Sequence, residues 1–286
     1  MSEPRWTGEV AFDAVDLAWP LRKQKPLRIF VNSMSDLFHE KLTNEQIAAV
    51  VGVMAACPQH TFQILTKRAK RMREWFAWIG SQTSSGDGRG DTQAEICRAH
   101  AERLGNFRAT DGSMPRGPGR ALGGYDTRWP LPNVWIGVSI ENQDTADERI
   151  PLLLATPAAV RFLSMEPLLE LVQLPIVHVF GNAPRPPSVD WIICGCESGP
   201  GARPCAVEWL RSLRDQSVAA GVPFFLKQAV GLTTSRAVYP SAQAARVETV
   251  DVGAGDGSRR KASGVIELPY LDGVQWAQFP ERPSSP

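Results

Sequence analysis

Six short apolar runs recur along the chain, and each of them ends in polar residues. In chain order they are RIFVNSMSD (28–36), FQILTKR (62–68), VWIGVSIEN (134–142), VRFLSMEP (160–167), WIICGCESG (191–199) and PFFLKQ (223–228). The runs are continuously apolar rather than alternating, which is typical of strands that are buried on both faces of a parallel sheet. The pattern therefore predicts six strands of one parallel sheet.

Helical patterns lie between several of these runs. Thr43 and Gln46 form a capping-box pair that opens TNEQIAAVVGVMAAC, and VEWLRSLRDQSVAAG stops at Gly221, which suits the C′ position. DTADERIPLLLA supplies another crossover, in which Pro151 must sit early or kink the helix. The connection 168–189 shows no clear helix. Strands followed by helices predict an α/β protein with a parallel sheet, either open or curled into a barrel.

Two regions interrupt the alternation of strands and helices. Residues 80–128 hold SSGDGRGD and GSMPRGPGRALGG around one helical stretch, TQAEICRAHAERLG, which indicates an inserted loop-helix segment. The region from about residue 232 contains GVIELPYLDGVQWAQFP, which predicts a small hairpin or strap. We therefore expect residues 1–231 to form the sheet and its helices, and residues 232–286 to form an irregular C-terminal extension that packs on them.

Composition narrows the class of protein. The chain is 43% hydrophobic and 21% charged, which is ordinary for a globular protein, and its net charge of +1 gives no argument for nucleic acid or an acidic membrane. Five cysteines without regular spacing fit a reducing cytoplasm better than a disulfide framework. Because the sequence shows neither a signal-peptide pattern nor an apolar run of membrane-spanning length, we expect a cytoplasmic protein that does not bind a membrane.

Polar side chains collect directly after the apolar runs. In parallel α/β folds the carboxyl ends of the strands form one rim, and ligands bind there. The candidate ligand-binding residues on this rim are Lys67, Arg68, Ser139, Glu141, Glu166, Glu197, Ser198, Arg203 and Lys227. We expect Lys67 and Arg68, which follow their run immediately, to point into the cleft. The alternative for Glu141 and Glu166 is structural, as helix-start carboxylates or partners of a nearby arginine.

The loop GCESGPGARP (195–204) admits two interpretations. It is a tight turn that needs positive φ, or it is a cradle in which Arg203 pairs with a carboxylate or phosphate. In the second case, Arg203→Ala weakens ligand binding by about 1.5–3 kcal/mol and barely changes stability. The five basic residues between Lys67 and Arg73 likewise form either a solvated helix face or a nucleic-acid track.

Metal ligands are sparse in the sequence. Asp36 and His39 are three residues apart and either share a metal or serve the structure; with Glu141 and Glu166 they define a hypothetical metal-dependent hydrolase. We expect Cys57 at the end of a helix, Cys97 in the insertion, and only Cys194, Cys196 and Cys205 near one strand end. Because no C-x₂-C spacing occurs, the sequence predicts no iron–sulfur or zinc site in this chain.

Long blocks of the sequence resemble a known family. RWTGEV, RIFVNSMSDLFHE, HTFQILTKRAKRM, LPNVWIGVSIENQDTADERIPLLLATPAAVRFLSMEPLL, GCESGPGARP and GVPFFLKQ together resemble the bacteriophage gp thirty-seven/gp sixty-eight family, a domain of unknown function. The resemblance covers most of residues 5–228. It implies a phage or prophage protein with a partial (β/α) barrel similar to radical S-adenosylmethionine enzymes. It also implies S-adenosylmethionine and a 4Fe–4S cluster as cofactors of full-length relatives, and a neighbouring phage-encoded protein as a partner.

The sequence departs from the family pattern in ways that affect the expected function. Family members usually carry three clustered cysteines upstream of RWTGEV, so we expect this chain to lack the first βα unit and the cluster. We also expect the strand 28–32 to be an exposed edge or to be covered by residues 5–20. Cys196 stands where the pattern has glycine, and KQAVG stands where it has KQWG.

Three hypotheses of function remain open after the sequence. The first is a truncated or inactive barrel similar to radical S-adenosylmethionine proteins, whose cofactor would lie across the strand ends. There Ser139, Glu141, Glu166 and Glu197 would offer hydrogen bonds, and Lys67 or Arg203 would meet a carboxylate. The second is a non-catalytic module that binds a nucleotide or nucleic acid. The third is the metal-dependent hydrolase.

Overall fold

Six parallel strands form one curled sheet in the computed structural model, which describes residues 10–32, 35–82, 92–105, 128–175, 188–198, 201–229, 249–250, 261–262 and 270–280. The strands are β1 (Arg28–Val31), β2 (Thr61–Thr66), β3 (Val134–Ser139), β4 (Val160–Met165), β5 (Trp191–Gly195) and β6 (Phe224–Gln228). They neighbour one another in sequence order, and every pairing is parallel. The sheet is a half-barrel, so the predicted partial barrel and its strand order are confirmed.

The helices follow the predicted stretches closely. The described α-helices are α1 (Ala14–Leu17), α2 (Asn44–Ala55), α3 (Ala69–Ser81), α4 (Gln93–Leu104), α5 (Gln143–Leu154) and α6 (Val207–Ala219). The capping box of Thr43 and Gln46 opens α2 as predicted. After α6, Gly221 has φ +64° and Val222 N–H donates to Ser217 O, which closes a Schellman motif. Pro151 lies in the last turn of α5 rather than early in it, so the first of its two alternatives is wrong.

The two faces of the sheet carry different clusters of side chains. Outward-facing residues such as Ile64, Ile136 and Ile192 are buried in the large core that the helices share. The inner face holds a second cluster that is rich in aromatic rings, formed by Trp135, Val160, Phe162, Trp191 and Phe225. Gly137 belongs to this face, and a side chain there would overlap the ring of Phe162. The strands are therefore buried on both sides, as continuous apolar runs require.

The C-terminal residues lie along β6. β9 (Tyr270–Leu271) and β10 (Val274–Gln275) form a hairpin whose two turn residues have positive φ, as a type I′ turn requires. The chain then runs antiparallel to β6, where Leu226 N–H donates to Trp276 O at 2.9 Å. A second antiparallel pair joins β7 (Thr249–Val250) to β8 (Lys261–Ala262). The division of the chain near residue 231 stays a prediction.

Phe279 closes one end of the half-barrel. Its ring centroid lies 5.1 Å from that of Trp191 and 5.2 Å from that of Phe225, both near the starts of their strands. The guanidinium carbon of Arg28, the first residue of β1, lies 4.4 Å from the centroid of the same ring. Phe279 therefore joins the two edges of the sheet at the amino ends of the strands. The opposite rim carries the candidate site.

The connection between β4 and β5 is held by side-chain amides rather than by a crossover helix. Its described residues, 168–175 and 188–190, form no helix, as predicted. Gln143 at the start of α5 exchanges hydrogen bonds with Gln173, through both its side-chain nitrogen and its side-chain oxygen. Gln216 of α6 accepts from Leu174 N–H at 2.7 Å. These amides give the extended backbone the partners that a helix would otherwise supply.

The insertion and the amino-terminal segment both pack on the sheet unit. α4 is the predicted helix of the insertion, and residues 83–91 and 106–127 lie outside the described residues. β1 lies at one edge of the six-stranded sheet, where β7 lies close to it. The expectation that this edge is exposed or is covered by residues 5–20 stays a prediction. His60 ties the amino-terminal segment to the fold, since its Nε2 lies 3.1 Å from Pro20 O and its Nδ1 accepts from Leu27 N–H. No helix in the described part of the chain meets the length and apolarity that crossing a bilayer demands.

Candidate ligand-binding site

The ends of β3 and β4 place two glutamates side by side on the rim. Ser139 and Ser164 are register partners, and Ile140 N–H donates to Ser164 O at 2.9 Å. Glu141 and Glu166 each follow two residues later, so they leave the sheet at the same level. A side chain at either position shares the inner face with the serine two residues before it, because alternate residues of a strand face the same side.

Glu141 is held between two cations. Arg149, from the second half of α5, donates from one terminal nitrogen to Glu141 Oε2 at 2.9 Å and to Ser139 O at 2.7 Å. The ammonium of Lys67 lies 2.6 Å from Glu141 Oε1 as an ion pair, without the angles of a hydrogen bond. Asn142 caps α5 directly after Glu141, which brings the helix back over the strand end and places Arg149 there.

Glu166 reaches across β5 to β6. Its Oε2 accepts a hydrogen bond from Lys227 Nζ at 2.8 Å, and its Oε1 accepts one from Gln228 Nε2 at 2.8 Å. Gln228 Nε2 also donates to Cys196 O at 2.6 Å. Gly195 lies below this contact, where a Cβ atom would be 3.1 Å from Gln228 Cγ and 3.4 Å from Glu166 Cδ.

Glu197 and Arg203 close the loop after β5 on itself. Arg203 donates three hydrogen bonds to the Glu197 carboxylate, from its backbone N–H and from two guanidinium nitrogens, at 2.8–2.9 Å. These bonds, the side-chain ones first, lower the pKa of Glu197 to about 2. The bond to Glu197 and, more weakly, the charge of Glu141 raise the pKa of Arg203, so the loop lies within electrostatic range of Glu141. Ser198 is exposed, and residues 199–200 lie outside the described residues.

Arg68 does not join Lys67 at Glu141. Its guanidinium donates to Asp36 Oδ2 at 3.1 Å and to Glu40 Oε2 at 3.0 Å, and Asp36 also accepts from the hydroxyl of Thr66. Lys67 therefore lies with Glu141 on the inner face, and Arg68 lies with Asp36 and Glu40; that both point into a ligand cleft stays a prediction. The reason is the strand period of two, which turns successive side chains to opposite faces.

The basic run that follows β2 is partly committed to structural contacts. Besides Arg68, Arg71 donates to the side-chain oxygen of Asn44 at 2.7 Å and to Leu42 O at 3.4 Å. Both arginines thus hold the start of α2 and the loop before it. These contacts favour a helix face over a nucleic-acid track for Lys67–Arg73.

The cations of the rim are more exposed than the carboxylates that they contact. The side chains of Lys67, Arg203 and Lys227 are 58%, 56% and 46% exposed. Their partners Glu141, Glu197 and Glu166 are 13%, 30% and 17% exposed. The carboxylates thus hold the cations from the side of the sheet. The surface that the rim offers to a ligand is positive.

The five cysteines are buried and reduced. Cys57 follows α2 and Cys97 lies in α4, as expected, and burial raises the pKa of both thiols, that of Cys57 to about 12. Near the end of β5, the thiol of Cys196 donates to Cys205, and this bond is the largest cause that raises the pKa of Cys196 and lowers that of Cys205. Burial raises the pKa of Cys194 as well.

Possible metal ligands are likewise dispersed. Within the described ranges, no three His, Cys, Asp or Glu side chains are arranged to hold a metal ion. Asp36 and His39 each bind local backbone, since Asp36 accepts from Phe38 N–H and His39 Nδ1 accepts from Lys41 N–H. These contacts favour a structural role for Asp36 and His39 over a shared metal ion.

Two functional positions were not among the predicted site residues. Arg149 is separated from its partner Glu141 by half a helix, and the only signal for it is that α5 starts directly after the strand end. Gln228 ends the sixth run beside Lys227, but a strand period of two would send the two side chains to opposite faces. A shift of register between Cys194 and Gly195 accompanies its contact with Glu166.

A protein-family model matches residues 2–280 of the chain, and the description of that family is "Protein of unknown function (DUF5131)". No curated protein matches the chain, and no solved structure does either. The family match carries no statement of phage origin or of radical S-adenosylmethionine chemistry.

Proposed function

Because the chain belongs to this family of unknown function, which brings no activity with it, we propose from the rim itself that the protein binds a small molecule with an anionic group. The observation that carries the proposal is the contrast in exposure between cations and carboxylates. Lys67, Lys227 and Arg203 face solvent, whereas Glu141 and Glu166 are covered and Glu197 is partly covered. A carboxylate or phosphate group is the partner that such cations select.

The rim has N–H donors that its own carboxylates do not occupy and that a ligand can use. An ammonium group has three N–H donors, and the glutamate contact occupies one of them at Lys227. Counted with Arg149, four cations face the three carboxylates of Glu141, Glu166 and Glu197. One positive charge is therefore in excess, which favours an anion over a neutral ligand. The partners below hold the cations in place before the ligand arrives, which reduces the entropy that binding costs.

S-adenosylmethionine is the first candidate, through the resemblance described above. It joins a carboxylate and an ammonium group to a nucleoside through a sulfonium, so its net charge is +1 and its carboxylate is the group that suits the cations of the rim. Lys67 or Lys227 would meet the carboxylate, and Glu141 or Glu166 would meet the ammonium group. The inner face below the rim presents the half-buried Leu65 to an apolar or aromatic part of a ligand. The residues present therefore fit the molecule.

A 4Fe–4S cluster does not fit the cysteines of this chain. Such a cluster needs three or four thiolates that converge on one place. Cys57 follows α2 and Cys97 lies in α4, away from the rim. The pKa of four of the five thiols is raised, by burial at Cys57, Cys97 and Cys194, and first by the bond to Cys205 at Cys196. The proposal therefore covers binding and contains no cluster-dependent reaction.

A nucleotide is the second candidate, because the same exposed cations suit a phosphate. Nucleic acid is a weaker candidate, since Arg68 and Arg71 are occupied by Asp36, Glu40 and Asn44. The metal-dependent hydrolase has no support in the contacts of Asp36 and His39. The link to phages and to a phage-encoded partner remains a part of the proposal that rests on the resemblance alone.

Isothermal titration of the full chain tests the proposal with three compounds: S-adenosylmethionine, ADP and adenosine. We expect S-adenosylmethionine or ADP to bind at least ten times more tightly than adenosine, which has no anionic group. We also expect the affinity for ADP to fall as salt is raised, because its attraction to the exposed cations is screened. Equal affinity for all three compounds, or no binding of any of them, would contradict the proposal.

A further inference from the structure

We infer that Lys67 and Lys227, rather than Arg203, are the cations that a bound ligand takes over. The inference rests on the proposed function and deepens it, since it assigns the residues that contact the anionic group. It follows from asking what each glutamate would keep if its exposed cation turned to a ligand.

Glu141 would keep a cation if Lys67 left it. Arg149 is as well covered as Glu141 itself and binds Oε2 at 2.9 Å, while it also holds Ser139 O. The contact of Lys67 with Oε1 is an ion pair without hydrogen-bond angles. Because Arg149 continues to neutralise the carboxylate, Lys67 is free to turn to another anion at little cost.

Glu166 would also remain bound if Lys227 left it. Gln228 donates to Oε1, and the same nitrogen is fixed by Cys196 O. The carboxylate therefore keeps its position over Gly195. Lys227 is nearly half exposed and can meet a ligand without a rearrangement of the rim.

Arg203 differs because, among the described residues, Glu197 has no hydrogen-bond partner other than Arg203 itself. Its guanidinium binds both oxygens of Glu197, and the backbone N–H of the same residue adds a third bond. A ligand that took over the guanidinium would leave this carboxylate with one backbone N–H as its partner and would loosen the loop. The pair therefore serves as a closure of the loop.

The two lysines also flank the same pair of serines on the inner face of the sheet. They follow or end β2 and β6 and lean toward carboxylates at the ends of the neighbouring strands β3 and β4, about one strand spacing or ~5 Å apart. Ser139 and Ser164 lie between them as register partners. A ligand with a carboxylate or phosphate group that lies on these serines covers both lysines.

Lysine acetylation read by mass spectrometry tests the inference on the full chain, with S-adenosylmethionine and with ADP as probes. We expect the bound probe to slow acetylation of Lys67 and Lys227 at least fivefold and to leave Lys70, an exposed lysine of α3, unchanged. Undiminished acetylation of both rim lysines under a probe that binds would overturn the inference and leave the proposed function standing.

Matched variants separate the lysines from Arg203. We expect Lys67→Gln and Lys227→Gln each to weaken the probe at least tenfold, with Arg203→Gln and Lys70→Gln changing it less than threefold. A larger effect of Arg203→Gln would overturn the inference. If neither probe binds the wild-type protein, the proposed function fails and the inference fails with it.

The thermal stability of the ligand-free protein tests independently whether the two lysines can leave their glutamates. We expect the thermal midpoints of Lys67→Gln and Lys227→Gln to stay within about 2 °C of the wild type, and Arg149→Gln to lower the midpoint by more. Equal losses for Lys67→Gln and Arg149→Gln would show that Lys67 is a structural partner of Glu141, and would refute its release.

Discussion

The carboxylate of Glu166, at the end of β4, accepts a hydrogen bond from Gln228 on β6, although β5 lies between the two strands. The contact is feasible because residue 195 of β5 is glycine and leaves the space over the strand open. Gln228 in turn donates to Cys196 O, so one side chain ties the ends of three strands together. The arrangement of the rim thus depends on the absence of a side chain at Gly195 as much as on the charged side chains.

Gly195→Ala tests this dependence. The new methyl group would lie 3.1 Å from Gln228 Cγ and 3.4 Å from Glu166 Cδ, so one of these side chains must shift. We expect a loss of about 1–3 kcal/mol in the free energy of unfolding, as for other overpacked sites, measured by urea denaturation. Affinity for the ligand of the rim should fall as well.

Gly80→Ala is the control for the glycine substitution. Gly80 lies inside α3, where an added methyl group meets nothing within 4 Å, so we expect a gain of about 0.5–1 kcal/mol from helix propensity. If Gly195→Ala is as stable as the wild type and binds equally well, the space over β5 has no part in holding Glu166.

The strands and the rim were predictable because both depend on local patterns. Continuous apolar runs are unambiguous for buried parallel strands, and the residues after them must share one rim. The pairing of charges was not predictable. Arg149 reaches Glu141 through the direction of α5, and the sequence does not show which member of each ion pair is exposed. Pro151 shows the same limit, since it removes one hydrogen bond from the last turn of α5 without ending the helix there.

Gly137→Ala should destabilise the inner face of the half-barrel. A methyl group on Gly137 would overlap the ring of Phe162, which packs against Trp191 at a centroid distance of 5.9 Å. Because this aromatic cluster is buried, the ring has little room to move. We expect a loss of about 3 kcal/mol in the free energy of unfolding, measured by urea denaturation. An unchanged urea midpoint would mean that the ring adjusts without cost.

Phe279→Ala should loosen the C-terminal residues 270–280, which we call the strap, from the half-barrel. The ring packs on Trp191 and Phe225 and lies under Arg28, so its removal takes away the contact that joins β1 to the strap. We expect a loss of about 2–4 kcal/mol, near the lower part of the range for buried phenylalanine, since the ring is half-buried.

Limited proteolysis distinguishes loosening of the strap from a general loss of stability. We expect cleavage near residues 270–280 to become faster in Phe279→Ala, with the sheet unit cleaved at the wild-type rate. Val274→Ala is the control, because Val274 is exposed on the hairpin and its truncation should cost less than about 0.5 kcal/mol. Equal behaviour of the two variants would argue against a closure by Phe279.

Stability should decline as the pH falls below the ordinary pKa of histidine, through His60. Burial is the largest cause that lowers the pKa of this side chain from 6.5, and its Nδ1 must stay unprotonated to accept from Leu27 N–H. The unfolded chain therefore takes up the proton first, so the stabilising contribution is complete above pH 6.5 and is lost as the pH falls below it. Thermal midpoints between pH 7.5 and 5.5 measure this loss.

His60→Asn isolates the contribution of His60 from those of the other three histidines. The side-chain oxygen of asparagine stands in for Nδ1 as an acceptor and does not titrate, so Leu27 keeps a partner at every pH. We expect a lower midpoint than the wild type at pH 7.5, because the contact of Nε2 with Pro20 O is gone, and a smaller fall toward pH 5.5. The two curves should therefore approach each other as the pH is lowered. Parallel curves would show that His60 has the same pKa in the folded and the unfolded protein. Its burial between the amino-terminal segment and β2 would then not disfavour the protonated form.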